Sequence, residues 1–247
     1  LRSFSVLITL FLPDDAAYHN YNAQGSQVKI FFDSRQRRPY NAAMVTGWLV
    51  FVATLRLTYR RIGLLLVVNL LWWLCALPVV TWPPATAGLH HVARRLTQPD
   101  EDEQTTWRHF FEGFKQYWRA GWQVAALNLI VLLVLAVNIY FYLSLLAPGL
   151  RLISLPFIYL LLLWAGMQLY LFPLLIEQQD KRIRLIFKNA FLLTTQNMGF
   201  TLALGLLLIS MILVASTLTG PVLLILISFL AVAKVLATQY VLRKGSS

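Results

Sequence analysis

Four long stretches of this chain, residues 62–93, 120–150, 152–176 and 189–233, contain no Asp, Glu, Lys or Arg. That absence constrains the fold more than any motif. About 20 mostly apolar residues suffice to cross the hydrocarbon core of a bilayer, and a charge at its centre costs about 3 kcal/mol or more. Charged residues make up 13% of the chain, roughly half the usual share of about 25% in soluble domains. The runs are continuous rather than alternating, so helices are expected and a barrel of period-two strands is not. The pattern predicts helices over residues 63–77, 122–146, 152–176, 198–218 and 221–242. The last stretch holds two of them, because Thr219-Gly220-Pro221 interrupts it and proline suits the first turn of a following helix.

The distribution of charge sets the orientation. The chain carries 21 Lys and Arg against 10 Asp and Glu, and most of the excess lies after residue 43. Lys181, Arg182, Arg184 and Lys188 stand between the third and fourth helices, Arg243 and Lys244 follow the fifth, and Arg108, Lys115 and Arg119 precede the second. The opposite loops carry only Arg151. Short loops rich in Lys and Arg stay cytoplasmic, so helices two to five form two hairpins and the C-terminus is cytoplasmic.

The first apolar stretch conflicts with this scheme if it is a simple span. Arg56, Arg60 and Arg61 precede it, while Arg94 and Arg95 follow it. A return path removes the conflict: residues 63–77 descend about 22 Å at 1.5 Å per residue, residues 78–84 turn, and residues 85–96 climb back. Pro78, Thr81, Pro83, Pro84 and Thr86 mark this candidate re-entrant turn, the prolines by removing backbone donors and restricting their neighbours. A single proline-kinked span with an exported basic helix is the alternative. The fold class expected is therefore all-α, a polytopic membrane bundle of four full spans in two hairpins plus a broken or re-entrant first hairpin.

Two further segments have helical amphipathic spacing. In "TTWRHFFEGFKQYWRAGW" the residues Trp107, Phe110, Phe111, Phe114 and Trp118 share one face, with Arg108, Glu112, Lys115 and Arg119 opposite. Aromatic and basic faces of this kind suit the headgroup boundary, which makes the five aromatics candidate interfacial anchors. "DKRIRLIFKNAFLLTTQ" repeats the design with Ile183, Ile186, Phe187 and Ala190. Each segment leads into a hydrophobic hairpin, a weak internal repeat. Their attachment to spans favours two cytoplasmic interfacial helices over calmodulin-like or nucleic-acid binding, so no nucleic-acid partner is expected. The acidic "PDEDEQ" before the first of them reads as a solvated loop, with Thr105 or Thr106 as a helix cap.

Residues 1–43 differ in character and read as an extension, either non-native or poorly structured; residues 44–244 form the membrane domain, and Gly245-Ser246-Ser247 looks like a tag remnant. Cys75 is the only cysteine, which leaves no intramolecular disulfide and no cysteine-based metal cluster.

"NLLWWLCALPVVTWPPATAGLHHVARRL", "FFEGFKQYWRAG" and "YLFPLLIEQQDKRIRLIFKNAFLL" resemble, in order, three signature regions of the YesL-like family of bacterial integral membrane proteins, a domain of unknown function. The likeness extends over about residues 48–244, and its most specific part is Leu77-Pro78-Val79-Val80-Thr81 with Pro84-Ala85-Thr86-Ala87. Where this chain has Pro83, family members usually have a small residue, so a stiffer turn is expected. The resemblance implies location in the bacterial cytoplasmic (inner) membrane and genes often found beside carbohydrate ABC uptake systems. It supplies no catalytic residues.

The residues carry few groups arranged for chemistry. No phosphate-cradling Gly-Lys loop, His-Glu-x-x-His, nucleophile elbow or paired intramembrane carboxylates occur, so no catalytic residue, cofactor or metal site is expected. His90 and His91 point about 100° apart as helix neighbours and lack a third ligand. His90, His91, Arg94, Arg95, Lys115 and Arg184 are candidate lipid- or anion-binding residues, with positive-inside anchoring as the simpler role. Asn69, Asn128, Asn138 and Gln168 are expected to bond between helices, each worth about 1 kcal/mol, and Lys234 to snorkel toward the cytoplasmic face. Partners expected are the bilayer itself, anionic lipid and ABC permease subunits. The leading expectation is a non-enzymatic accessory protein; a small solute transporter or channel using the broken hairpin and a lipid-binding scaffold are the rivals.

Overall fold

Apolar backbone in lipid has to satisfy its own hydrogen bonds, and helices do so within a single segment. The computed structural model describes residues 40–144, 151–217 and 223–246, and all of the described secondary structure is helical. The contacts below lie within one unit, Arg37–Lys244. The helices are α1 (Tyr40–Arg60), α2 (Ile62–Ala76), a 3-10 turn (Val79–Thr81), α3 (Trp82–Leu96), α4 (Pro99–Asp102), α5 (Arg108–Gln116) and α6 (Trp118–Ser144). They continue with α7 (Ser154–Met167), α8 (Leu171–Glu177), α9 (Ile183–Gln196), α10 (Met198–Thr217) and α11 (Leu223–Ser246). Among the described residues α6, α10 and α11 are each long and apolar enough to cross a membrane, and the number rises to four if the bent pair α7 and α8 is one span. Almost all of the N-terminal extension, Ser247 and the Thr219-Gly220-Pro221 break lie outside the described residues.

Three differences from the sequence reading have physical causes. The expected helix over 152–176 is two helices that meet at 42°. Pro173 has no N–H to offer the carbonyl of Leu169 and its ring crowds that position, so the helix stops and restarts at Leu171. Pro83 and Pro84 do not lie in the turn; they sit in the first helical turn of α3, where the missing N–H groups would have had no intrahelical partner. The turn is shorter, residues 77–81, with the Thr81 hydroxyl facing the carbonyls of Cys75 and Pro78. The third difference is α1, which precedes the first expected helix. Its charge-free run between Arg38 and Arg56 is too short to stand out as a span, yet Val50, Thr54 and Thr58 form a buried stripe and α1 packs along α10.

The centre of the bundle is α3, with eleven of its fifteen residues buried. It turns back against α2, and the Trp72 indole N–H donates to Thr86 Oγ1 at 3.2 Å. On another side it meets α5 at a crossing made possible by two glycines. A Cβ placed on Gly88 would lie 2.6 Å from the Phe110 carbonyl oxygen, and one on Gly113 would lie 2.5 Å from His91 Cβ. The aromatic face of α5 therefore packs largely on protein: Phe110 is fully enclosed, Phe111, Phe114 and Trp118 are half-buried, and Trp107 remains exposed. The tip of the hairpin is apolar and bare, with Leu77, Val79, Val80 and Trp82 all exposed.

The two surface-helix units correspond in plan. One residue, Tyr117, separates α5 from α6, and one residue, Asn197, separates α9 from α10. The first pairing of long helices is held by polar groups: Asn128 and Gln168 exchange amide hydrogen bonds of 3.0 and 2.9 Å, and the Trp164 indole donates to the same Asn128 oxygen at 2.8 Å. Asn138 instead donates to the Val134 carbonyl within α6.

Candidate functional site

Thr86, His90, Arg94 and Thr97 recur at spacings of four, four and three along α3, so they form one stripe of the helix. Each is matched by a group from another helix or from its own backbone. Thr86 receives the Trp72 indole of α2. His90 is buried, its Nδ1 donating to the Thr86 carbonyl at 2.8 Å and its ring stacked on Phe172 of α8 at 5.4 Å. Arg94 Nε pairs with Glu177 Oε2 at 3.3 Å. Thr97 Oγ1 accepts from the Gln239 amide of α11 at 2.9 Å, and that amide also donates to Glu177 Oε1 at 2.8 Å. A polar seam thus runs between α2, α3, α8 and α11 for eleven residues of α3, about 16 Å of helix.

At one end of the seam lies a belt of ion pairs. Asp102, at the end of α4, bonds both Arg60 and Arg61, the latter at 2.9 Å. Glu101 pairs with Arg95 at 3.5 Å. The arginines before α2 and in the last turn of α3 therefore meet at the same short acidic segment, which requires the chain to return to the end where the hairpin began. The "PDEDEQ" segment is a structural staple between them rather than a free loop.

The sequence reading does not single out Glu177 and names Lys181 only as one of the loop cations, although a local signal existed. A carboxylate at a helix C-terminus opposes the helix dipole, so Glu177 needs a cation, and Arg94 supplies it. Lys181 folds back onto the carbonyls of Leu175, Ile176 and Gln178, at 2.8 Å for Leu175. Its ammonium also lies 5.2 Å from the centre of the Tyr117 ring. Burial, reinforced by the Arg94 charge and opposed by Glu177, lowers its pKa to about 8.

The six candidate lipid- or anion-binding residues do not form one site. Arg94 and Arg95 are engaged by internal carboxylates. His91 lies on a different face, against Gly113 with its ring 6.0 Å from Tyr117. Lys115 and Arg184 are exposed on the outer sides of α5 and α9. Of the turn residues, Pro78 is exposed, Thr81 and Thr86 are half-buried, and Pro83 and Pro84 are buried. Lys234 is half-buried on α11, and no ion pair or hydrogen bond joins its ammonium to a described residue. Among the described residues no cluster of three His, Cys, Asp or Glu could hold a metal ion.

No curated protein and no solved structure matches the chain. One family model does, that of a "Protein of unknown function, DUF624", over residues 65–139. The matched segment takes in most of α2, the turn, α3, the acidic staple, α5 and most of α6. It therefore contains the hairpin and the glycine crossing, while Glu177, Lys234 and Gln239 lie beyond it. Over residues 65–139 the chain is thus similar to DUF624, the YesL-like family of unknown function.

Proposed function

We propose that this is a non-enzymatic accessory protein of the bacterial inner membrane, with its cationic end in the cytoplasm as a docking face for a carbohydrate ABC uptake system. The observation that carries this reading is the way hydrogen bonds and ion pairs tie the basic segments together. Asp102 gathers the α1–α2 junction, Arg95 with Glu101 gathers the end of α3, and Glu177 with Gln239 joins α3, α8 and α11. The Lys244 ammonium donates to Asn197 Oδ1 at 3.1 Å, joining the end of α11 to the start of α10. One end of the bundle thereby collects the Lys- and Arg-rich loops, and such loops stay cytoplasmic. In this reading α6 with α7 and α8, and α10 with α11, are the two spanning hairpins, α2 and α3 form the re-entrant one, and α5 and α9 lie on the cytoplasmic side. Lys115 and Arg184 on the outer faces are placed to meet anionic lipid or a permease loop. The link to carbohydrate uptake rests on the gene neighbourhoods of the family and is associational. Affinity capture from native membranes is expected to recover ABC permease and ATPase subunits with the wild-type chain and to lose them on Lys115→Glu/Arg184→Glu. Recovery of neither subunit removes the reading.

The polar seam favours a second reading, a small solute transporter in which the α2–α3 hairpin lines the path. Flux through proteoliposomes that changes on Thr86→Val would support it, and no flux across a broad solute panel would retire it.

A further inference from the structure

The joint between α5 and α6 keeps its helical phase. The Tyr117 N–H donates to the Gly113 carbonyl at 3.0 Å and the Gly121 N–H to the Tyr117 carbonyl at 2.7 Å, so the i to i−4 pattern of an α-helix runs on through the residue between them. One face is accordingly buried on both sides of the joint, through Phe110, Gly113, Tyr117, Gly121 and Val124. The opposite face is exposed on both sides, and its chemistry changes along the way. Arg108, Glu112, Lys115 and Arg119 stand on it first, at helical spacings of four, three and four. Gln123, Ala126, Ile130 and Leu133 continue it at four, three, four and three.

The charge on this face is not settled within the protein. Arg60, Arg61, Arg94 and Arg95 are taken by internal carboxylates, whereas Arg108, Lys115 and Arg119 share the face with Glu112 alone and pair with no described carboxylate. Lys115 and Arg119 are one turn apart, about 6 Å along the axis. That spacing suits two cations converging on one phosphate group. An acidic peptide could answer the charge equally well, but beyond Gln123 the face is apolar through Leu133, about 15 Å of helix, or one leaflet's share of a hydrocarbon core of about 30 Å. Ile130 and Leu133 are 57% and 54% exposed, and α6 is the least enclosed of the three long apolar helices. An occupant with an anionic end and an apolar tail fits both halves.

We infer that the outer face of α5 and α6 is a seat for one anionic phospholipid, its phosphate between Lys115 and Arg119, its ester region at Gln123 and an acyl chain along Ala126, Ile130 and Leu133. The second surface helix offers no equivalent. There Lys188 precedes the start of α10 at Met198 by ten residues, about 15 Å of helix, so its cations do not adjoin the apolar face of the span. The seat narrows the proposed function, in which Lys115 meets lipid or a permease loop, to lipid at this position, and it rests on that reading only for the leaflet it faces.

The test uses the full chain, purified in a non-phospholipid detergent, delipidated, and titrated with phosphatidylglycerol or phosphatidylcholine of the same chains under native mass spectrometry. Phosphatidylglycerol is expected to bind the wild type more tightly than phosphatidylcholine, and Lys115→Gln/Arg119→Gln to lose about tenfold in that affinity, about 1.4 kcal/mol. Arg184→Gln/Lys188→Gln serves as the control and is expected to bind as the wild type does. All four side chains are exposed, so neither double variant disturbs the core. Glycerophosphoglycerol, the headgroup without its chains, is expected to bind more weakly than the intact lipid. No permease is present, so failure here leaves the affinity-capture test of docking intact. Equal affinity for the two lipids, equal losses in the two double variants, chain-free headgroup binding as tight as the lipid, or a polyglutamate peptide bound more tightly than phosphatidylglycerol overturns the seat.

Discussion

Replacing Gly113 with alanine tests whether α5 is seated on α3 as closely as the structure shows. The new Cβ would lie 2.5 Å from His91 Cβ, 2.9 Å from His91 Cγ and 3.1 Å from Gly88 Cα. Carbon atoms in ordinary contact sit about 3.5–4.0 Å apart, so the helices must part by about 1 Å. The obstructing atoms belong to backbone or to the root of a side chain and cannot swing aside. Overpacking of this kind costs about 1–3 kcal/mol, here near the upper end, while alanine returns about 1 kcal/mol of helix propensity. The expected result is a net loss of about 2 kcal/mol, or about 4–8 °C in Tm by the scaling of soluble domains of this size. Gly205→Ala is the matched control: nothing lies within 4 Å of its Cβ position, so only the propensity gain remains and Tm should hold or rise. Thermal unfolding of both variants in detergent provides the assay. A Gly113→Ala protein as stable as Gly205→Ala would refute the close crossing.

Two other perturbations address the polar contacts. Asn128→Leu should cost about 1 kcal/mol, and Asn128→Leu/Gln168→Leu should cost less than the two single changes together, because the second removes a partner already stranded; additive losses in thermal unfolding would contradict the reciprocal amide pair. Lys181 has a folded-state pKa of about 8, below the unfolded value of about 10.4, so the unfolded chain binds more protons between these values and stability contributed by this group should rise from pH 8 to pH 10.5. That rise should be absent in Lys181→Met, and an identical pH profile for both proteins would count against the buried cap on α8.

Much of the architecture was legible because hydrophobic run length and positive charge are local properties. The long apolar helices α6, α10 and α11 follow from charge-free stretches, and the return of α3 against α2 follows from the arginines at both ends of residues 62–96. The Asn128–Gln168 contact was half legible: amides at membrane depth imply partners, but spacing along one chain does not say which. What escaped the sequence reading depends on contacts far apart in the chain. Arg94 and Glu177 are 83 residues apart, and neither has a periodicity that points to the other. The amphipathic face of α5 was visible, yet periodicity gives a buried face without naming what buries it; the clue was Gly113 inside that helix and Gly88 inside α3, small residues where two backbones approach. Pro173 was equally visible, but its effect was masked by the uninterrupted apolar composition around it.

The central claim is that the chain enters the membrane at Arg61 and returns at Leu96 to the compartment it left. Single cysteines at Tyr59, which is 82% exposed, and at exposed Glu103, in a Cys75→Ala background, place one probe before the hairpin and one after it. Labelling with a membrane-impermeant maleimide in inverted and right-side-out vesicles gives the answer directly. The account predicts that both positions label in inverted vesicles and neither in right-side-out ones; labelling of Tyr59→Cys from one side and Glu103→Cys from the other would contradict it.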